Sequence, residues 1–489
     1  MTATNRLQLS LVRETTPGTT PGTPRMRKMR VTGEGLTFTP QYLDPDEIRD
    51  DRMNADPVLS MKESGGSINF ELTYPADVSP ISEVLRSAFY NTWTNTPTFD
   101  NDGTADSVVT DAGTTPDTYV VASGGASVKL GHLCRATGFT NSANNQIFRA
   151  ASSTATTVVG SSLSLTAETA PPAAAKLKVV GFQGAAGDIT ASATGLASTL
   201  LDFTTLGLAV GQWLKIGGTA AADKFANVAA NNDWVRISGT ITATAIPCDN
   251  RPSGWNTDNG ATKTIKVWFG DQIKNGTTQT TLSIERGFLG QTTPTYIINT
   301  GMTVNTLDVS LTSRQKVTCV VNFMGMGGSE STTALDASPD VVTTGAVMAA
   351  NASVGRIAEA GSVLTSPNWA KSLDFKINNN LRQVDDVGST SPVAVREGEC
   401  TVTTKTDTYF GDDTLLTKYY NGTATSLNSR VQKNSQAVIF TFPRVTYRGG
   451  GNPNAGSKNA DVMLPLEGQA SVDTTTSSHV SCDRFDYYE

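Results

Sequence analysis

Short runs of alternating apolar and polar residues, separated by Gly, Asn, Asp and Pro, fill most of the chain. That is the pattern of half-buried strands in an all-β protein. In Gly66-Ser-Ile68-Asn-Phe70-Glu-Leu72 the apolar residues share one face and Ser67, Asn69 and Glu71 the other. Leu307, Val309 and Leu311 oppose Thr306, Asp308 and Ser310 in the same way. Only two stretches carry helical spacing. After Ser79 as N-cap and Pro80 at the first helical position, Ile81, Val84, Leu85, Ala88 and Phe89 form one stripe. In the second, Asp412 or Asp413 caps, Leu415, Leu416, Tyr419 and Tyr420 form the stripe, and Asn421-Gly422 stops it.

Each helix follows a strand in the same phase, which predicts an internal duplication. Ile68 and Phe70 match Cys400 and Val402 at a separation of 332, and Leu85 and Phe89 match Leu416 and Tyr420 at 331. Further on, Leu282 and Ile284 align with Ala437 and Ile439, and Leu307, Val309, Leu311 and Val317 with Val462, Leu464, Leu466 and Val472, all at 155. The difference, 332 − 155 = 177, places an insertion of that size in the first copy, from about Thr98 to Gln272. A shorter repeat lies within it. Lys129-Leu-Gly131-His-Leu133-Cys-Arg135 is answered by Ala209-Val-Gly211-Gln-Trp213-Leu-Lys215, followed by Asn144-Asn145 or Asn231-Asn232 and by Phe148-Arg149 or Trp234-Val-Arg236.

The expected fold is therefore all-β with a few helices, a duplicated β-sandwich-plus-helix domain carrying two small inserted β-sandwich or β-barrel modules. The boundaries read as an N-terminal arm over 1–26, a discontinuous first domain over 27–97 and 273–326, modules over 98–190 and 191–272, a Ser/Thr/Ala/Gly-rich linker over 327–367, and a second domain over 368–489. Trp213 and Trp234, at alternating positions, read as module core.

Composition narrows the functions. The 489 residues contain two histidines, which removes the usual base of most hydrolases and any His-rich zinc site. A net charge of −7 argues against a broad grip on nucleic acid or an anionic membrane. Cys134, Cys248, Cys319, Cys400 and Cys482 lack any C-x-x-C pairing and read as isolated reduced thiols. Met1 to Thr23 has no continuous apolar run, so export by the general pathway is not expected, and no stretch approaches a membrane-spanning length.

Candidate chemistry is sparse. The acidic residues Asp44, Asp46, Glu47, Asp50 and Asp51, and Asp100 with Asp102 before Gly103, lack calcium-loop spacing. The neighbouring pairs Asp385-Asp386 and Asp412-Asp413 do not make a glycosidase pair. Gly325-Met-Gly327-Gly328 and Gly449-Gly450-Gly451 read as turns rather than phosphate loops. His132 belongs to a loop-to-strand step, and Ser477, Ser478, His479 and Cys482 are local neighbours without a scaffold for catalysis. The polar strand faces are more informative, since sheets avoid exposed edges by closing into barrels and such a face can line a channel.

Several motifs resemble tail tube proteins of long, flexible-tailed bacteriophages: Val12-Arg-Glu14-Thr-Thr-Pro17-Gly18-Thr, Asp46-Glu47-Ile48-Arg49-Asp50-Asp51-Arg52, the Gly65 to Leu72 strand, Leu282-Ser-Ile284-Glu285-Arg286-Gly287-Phe288, and the strand pair from Gly301 to Gly325. The resemblance covers about Gln8 to Trp93 and Gln279 to Gly327. It implies a structural virion protein, made in the host cytoplasm, that stacks in rings to form a hollow conduit for genome delivery. With two domains per chain, a homotrimer would make a pseudo-hexameric ring. The resemblance further implies contacts with the tape measure protein and with tail terminator and tail tip proteins. It implies no catalysis, cofactor, metal or membrane contact, DNA passing through the lumen without specific binding, and inserted modules that project outward. Glu71, Asp308 and Glu399 are expected to face the lumen and repel DNA. The alternative is a cell-surface β-sandwich adhesin or carbohydrate-binding protein.

Overall fold

The computed structural model describes residues 3–102, 109–111, 117–350 and 354–489. Gly103 lies outside them. Two strand networks make up most of the architecture, one of 17 strands and one of 13, both antiparallel almost throughout, with a two-stranded sheet of Arg382–Val384 and Ala394–Arg396 beside them.

The larger network is the same eight-element plan built twice. The first copy comprises β1 (Leu7–Arg13), β2 (Gly33–Leu43), β3 (Val58–Glu71), α1 (Pro80–Phe89), β4 (Asp271–Lys274), β5 (Leu282–Phe288), β6 (Thr295–Thr312), β7 (Thr318–Met324) and β8 (Gly327–Ser331). The second comprises β9 (Val354–Glu359), β10 (Ala370–Asn378), β11 (Thr401–Tyr409), α2 (Thr414–Tyr420), β12 (Thr425–Lys433), β13 (Gln436–Gly450), β14 (Met463–Ala470) and β15 (Ser481–Phe485). Apart from β4, each of these elements has a counterpart in the other copy, and the two-residue strands Arg27–Lys28 and Ser362–Val363 complete the 17. In each, one long strand, β6 or β13, runs through both layers: its first half pairs with β5 or β12 in the outer sheet, and its second half with β7 or β14 in the inner sheet.

This pairing corrects the strand correspondence expected from the 155-residue spacing. Leu282 and Ile284 on β5 match β12, not Ala437 and Ile439 on β13, and Leu307 to Leu311 on β6 match the end of β13, not Leu464 and Leu466 on β14. Neighbouring strands share a period of two, so a slide by one whole strand keeps the apolar faces in phase. The arm and linker expectations also change. β1 pairs with β5 along its whole length, and the 327–367 segment holds β8 and β9, which pair with β6 and β12.

The core of both sandwiches is one apolar cluster that includes Ile68, Phe70, Leu307, Val309, Phe375, Ile377, Val402 and Phe440. α1 lies on it with Val84, Leu85 and Ala88 buried, Ser79 Oγ accepting from the Ser82 amide, and Tyr90 ending it in the left-handed region. α2 buries only Leu415 fully, and Asp412, rather than the N-cap Asp413, accepts from the Thr414 amide at 2.9 Å.

The 13-stranded network is the insertion. Its two modules repeat one another bond for bond. The Lys129 amide donates to His132 Nδ1 and the Ala209 amide to Gln212 Oε1; the Asn145 and Asn232 side chains each bracket the backbone of Phe139 or Phe225. The strands Lys176–Gln183 and Lys266–Trp268 pair and fuse the modules into one sheet. This sheet packs on the second copy: Trp213, Trp234 and Trp268 form a buried cluster with Ala437, Ile439 and Phe485. Trp213 and Trp234 thus seal an interface between insertion and second copy instead of filling a module, and the inserted modules are docked rather than free-standing.

A buried ionic knot ties insertion and both copies together. Lys178 from the insertion lies 2.8 Å from Asp271 and 3.0 Å from Asp77, and Arg484 on β15 lies 2.9 Å from Asp271 and also bonds to Asp77. Arg484 also stacks on Trp93 at 4.1 Å from the ring centre. Burial raises the Asp77 carboxyl, but Lys178, Lys176 and Arg484 outweigh it and hold Asp77 below the usual carboxylate range.

Candidate functional site: an open sheet face and its two free edges

The inner layers of the two copies are a single antiparallel sheet in the order β2-β3-β7-β6-β10-β11-β14-β13. The join is made by β6 of the first copy and β10 of the second, in a register from Thr306 opposite Asn378 to Thr312 opposite Ser372. Because strand residues alternate, one face carries the core residues and the other is left open. That open face forms a concavity of about 580 Å³ lined in part by Asp308, Asp374, Lys376, Lys405, Arg448 and Glu467.

Charges on this face are set in cross-strand pairs. Lys376 Nζ lies 3.3 Å from Asp308 across the join, Lys405 Nζ 3.9 Å from Glu467, and Lys316 Nζ 2.5 Å from Glu71 at the end of β3. Ser310 donates to Asp374 at 2.5 Å, and Arg448 bonds the side-chain oxygen of Gln469. Glu71 and Asp308 therefore lie on the open face, each with a lysine. Glu399 precedes β11, is exposed, and lines a separate depression with Tyr90 and His479. The basic residues Lys376, Lys405 and Arg448 were not singled out from sequence, although Phe375-Lys376-Ile377 shows the same alternation that placed Asp308.

The sheet has two ends. β2 pairs on one side with β3, and the last residues of β13, from Thr446 to Gly450, pair on one side with β14. Their outer edges have no strand partner among the described residues. Side chains already meet Leu36 on β2, its amide bonded by Glu34 and its carbonyl by Arg286; a strand edge without a strand partner is a template for another strand.

Nothing on the described residues assembles a reaction centre. His132 is buried, accepts from the Lys129 amide through Nδ1 and bonds the Leu206 carbonyl through Nε2, and burial pushes it down to about 4. His479 Nε2 meets Cys400 Sγ at 3.4 Å, Ser478 bonds Thr476, and Cys482 is buried in the core, so the local set from Ser477 to Cys482 is not brought together. All five cysteines are free, and burial pushes Cys248 up to about 12 and Cys400 to about 11. Arg49 ties Glu47 and Asp51, and Arg25 pairs with Asp102 at 3.2 Å, which accounts for parts of both acidic clusters. Among the described residues no three His, Cys, Asp or Glu side chains are grouped to hold a metal, and no helix is long and apolar enough to cross a membrane.

The described residues thus hold a duplicated β-sandwich whose main polar feature is an open sheet face between two edges without a strand partner. A family model described as phage tail tube protein matches the chain twice, over residues 4–246 and 201–470. The chain belongs to that family, a structural component of the virion tail. No curated protein matches it.

Proposed function

We propose that three chains close head to tail into a pseudo-sixfold ring, and that stacked rings form the hollow conduit through which the genome is delivered. The observation that carries this reading is the join of β6 to β10. It is a working example, inside one chain, of how the last inner strand of one copy pairs with the first inner strand of the next. The end of β13 and the outer edge of β2 are the corresponding strands at the chain's two limits, and they run in opposite directions, as the internal join requires. A heterologous contact of this kind closes into a ring when its rotation divides the circle. Closure also removes the exposed edges.

In this arrangement the open face lines the bore, with Glu71 and Asp308 on it and Glu399 at its rim. The conduit needs no catalytic step, cofactor or metal. The tape measure protein and the tail terminator and tip proteins are its partners in the tail. The domain division that serves this function is two sandwiches, β1 to β8 and β9 to β15, with the insertion as a collar on the side away from the bore. The burial of Trp213 and Trp234 takes these two aromatic side chains away from a sugar-binding reading.

Negative-stain imaging of the purified protein tests the reading. Hollow rods are expected; monodisperse globules across a range of protein and salt concentrations would overturn it.

A further inference from the structure

Resting on the conduit reading, the geometry points to a charge-compensated bore: we propose that its carboxylates serve to neutralise its lysines, so that a DNA duplex passes without being held by cations or excluded by a negative wall. The expectation from sequence was different, namely that Glu71 and Asp308 act by repulsion. The structure pairs each of them with a lysine, Lys316 and Lys376, and pairs Lys405 with Glu467.

The physical argument concerns counterions. A lysine or arginine that neutralises a phosphate strengthens binding mainly because condensed counterions are released into solution. A lysine whose counter-charge is a carboxylate of the same sheet must give that partner up to take a phosphate. The exchange then leaves a carboxylate uncovered beside the DNA, and the gain largely cancels. The pairs here are half-exposed, so they are weak enough to yield and reform as phosphates pass.

The two copies share this work unequally. The first brings Asp308, while the second brings Asp374, Lys376, Lys405, Arg448 and Glu467 to the same concavity. Within this concavity the charge thus comes mainly from the second copy, while the first holds its Glu71–Lys316 pair at the end of β3. Arg448 is bonded to the neutral amide of Gln469, and is the cation lining this concavity that has no carboxylate partner among the described residues. Residual hold on DNA is assigned to it.

The test is binding of a short DNA duplex to the unassembled chain, whose open face is accessible, followed by fluorescence anisotropy across a salt series. Wild type is expected to bind weakly with little salt dependence. Asp308→Asn combined with Glu467→Gln frees two lysines, and is expected to bind at least tenfold tighter at low salt, with log affinity against log salt steepening by about 2, at about 0.9 for each cation. Wild-type binding that is already steep, or a double variant that binds no better, would overturn the proposal. Lys376→Gln with Lys405→Gln covers the case where the first variant fails to fold. It is expected to leave wild-type affinity within about twofold, and a tenfold loss would show that these lysines already grip DNA. Imaging the same chains after they are brought to assembly conditions separates the two questions: rods with the wrong salt response in the unassembled chain remove this inference alone, whereas no rods remove the conduit itself.

Discussion

The two copies share a strand plan but differ in what covers them. The outer face of the first is polar and buried: Ser283 donates to Glu14 at 2.7 Å and meets Thr20 at 2.8 Å, and Glu285 accepts from the Leu335 amide, so the chain's own arm and the segment after β8 satisfy it. The corresponding face of the second is mixed, with Ala437, Ile439 and Phe485 packed on the tryptophans of the insertion and the buried Thr441 and Asp483 accepting from Trp213. The helices diverge likewise. α1 is buried from Pro80 to Phe89 except at Arg86, with Trp93 and Arg484 over its outer side, whereas α2 leaves Tyr420 69% exposed. One fold thus accepts two different coats, while each copy keeps one inner-sheet edge, β2 in the first and the end of β13 in the second, without a strand partner among the described residues.

The sharpest way to break this arrangement is at the knot that ties the insertion to both copies. Arg484→Ala leaves Asp271 and Asp77 with Lys178 as the remaining buried cation, and is expected to cost about 3–5 kcal/mol in chemical unfolding. A change under about 1 kcal/mol would mean the knot holds nothing together. Next, Leu85→Ala in α1 should cost about 2–5 kcal/mol, and Leu416→Ala in the half-exposed α2 no more than about 1 kcal/mol. Equal losses would remove the claimed contrast between the helices.

Asp483 offers a pH test of the junction. Burial raises its carboxyl to about 8, against weaker lowering by the Trp213 amide, Lys274, Gln272 and Arg236. The folded chain thus keeps a proton that the unfolded chain has lost, and stability falls as pH rises from about 4 to about 8. His132 and His479, both lowered by burial, act in the opposite sense below about 6.5. From about pH 6.5 to 8, wild type is expected to lose up to about 1.4 kcal/mol per unit, and Asp483→Asn to flatten that slope in thermal melts at several pH values. The smallest effect is at the helix starts. Ser79→Ala should cost about 1 kcal/mol, and Asp413→Ala under about 0.5 kcal/mol, because its side chain caps nothing.

Much of this was legible in the residues. Alternation placed Ile68, Phe70 and Leu72 inside and Ser67, Asn69 and Glu71 outside, and Ser79-Pro80 marked α1. The duplication was visible because helix and strand keep one phase. What alternation cannot carry is which strand pairs with which, so the second half of the repeat slid by one strand. It is equally blind to a strand such as β11, whose inward side is Val402, Thr404, Thr406 and Thr408, with hydroxyls where a core is expected to be apolar. The tryptophans were correctly read as buried, but burial alone does not say against what, and the partner proved to lie more than 200 residues away, at Thr441 for Trp213. The lysines of the open face were passed over because a charge on a polar strand face has no distinguishing spacing.

The most direct test of the account is the number of chains in one ring of the assembled tube, read from the mass of a ring or from an averaged cross-section. Three chains, each contributing both inner sheets edge to edge with β13 beside the β2 of its neighbour, is the predicted result. A ring of six chains, or one in which the open face points outward, would contradict it.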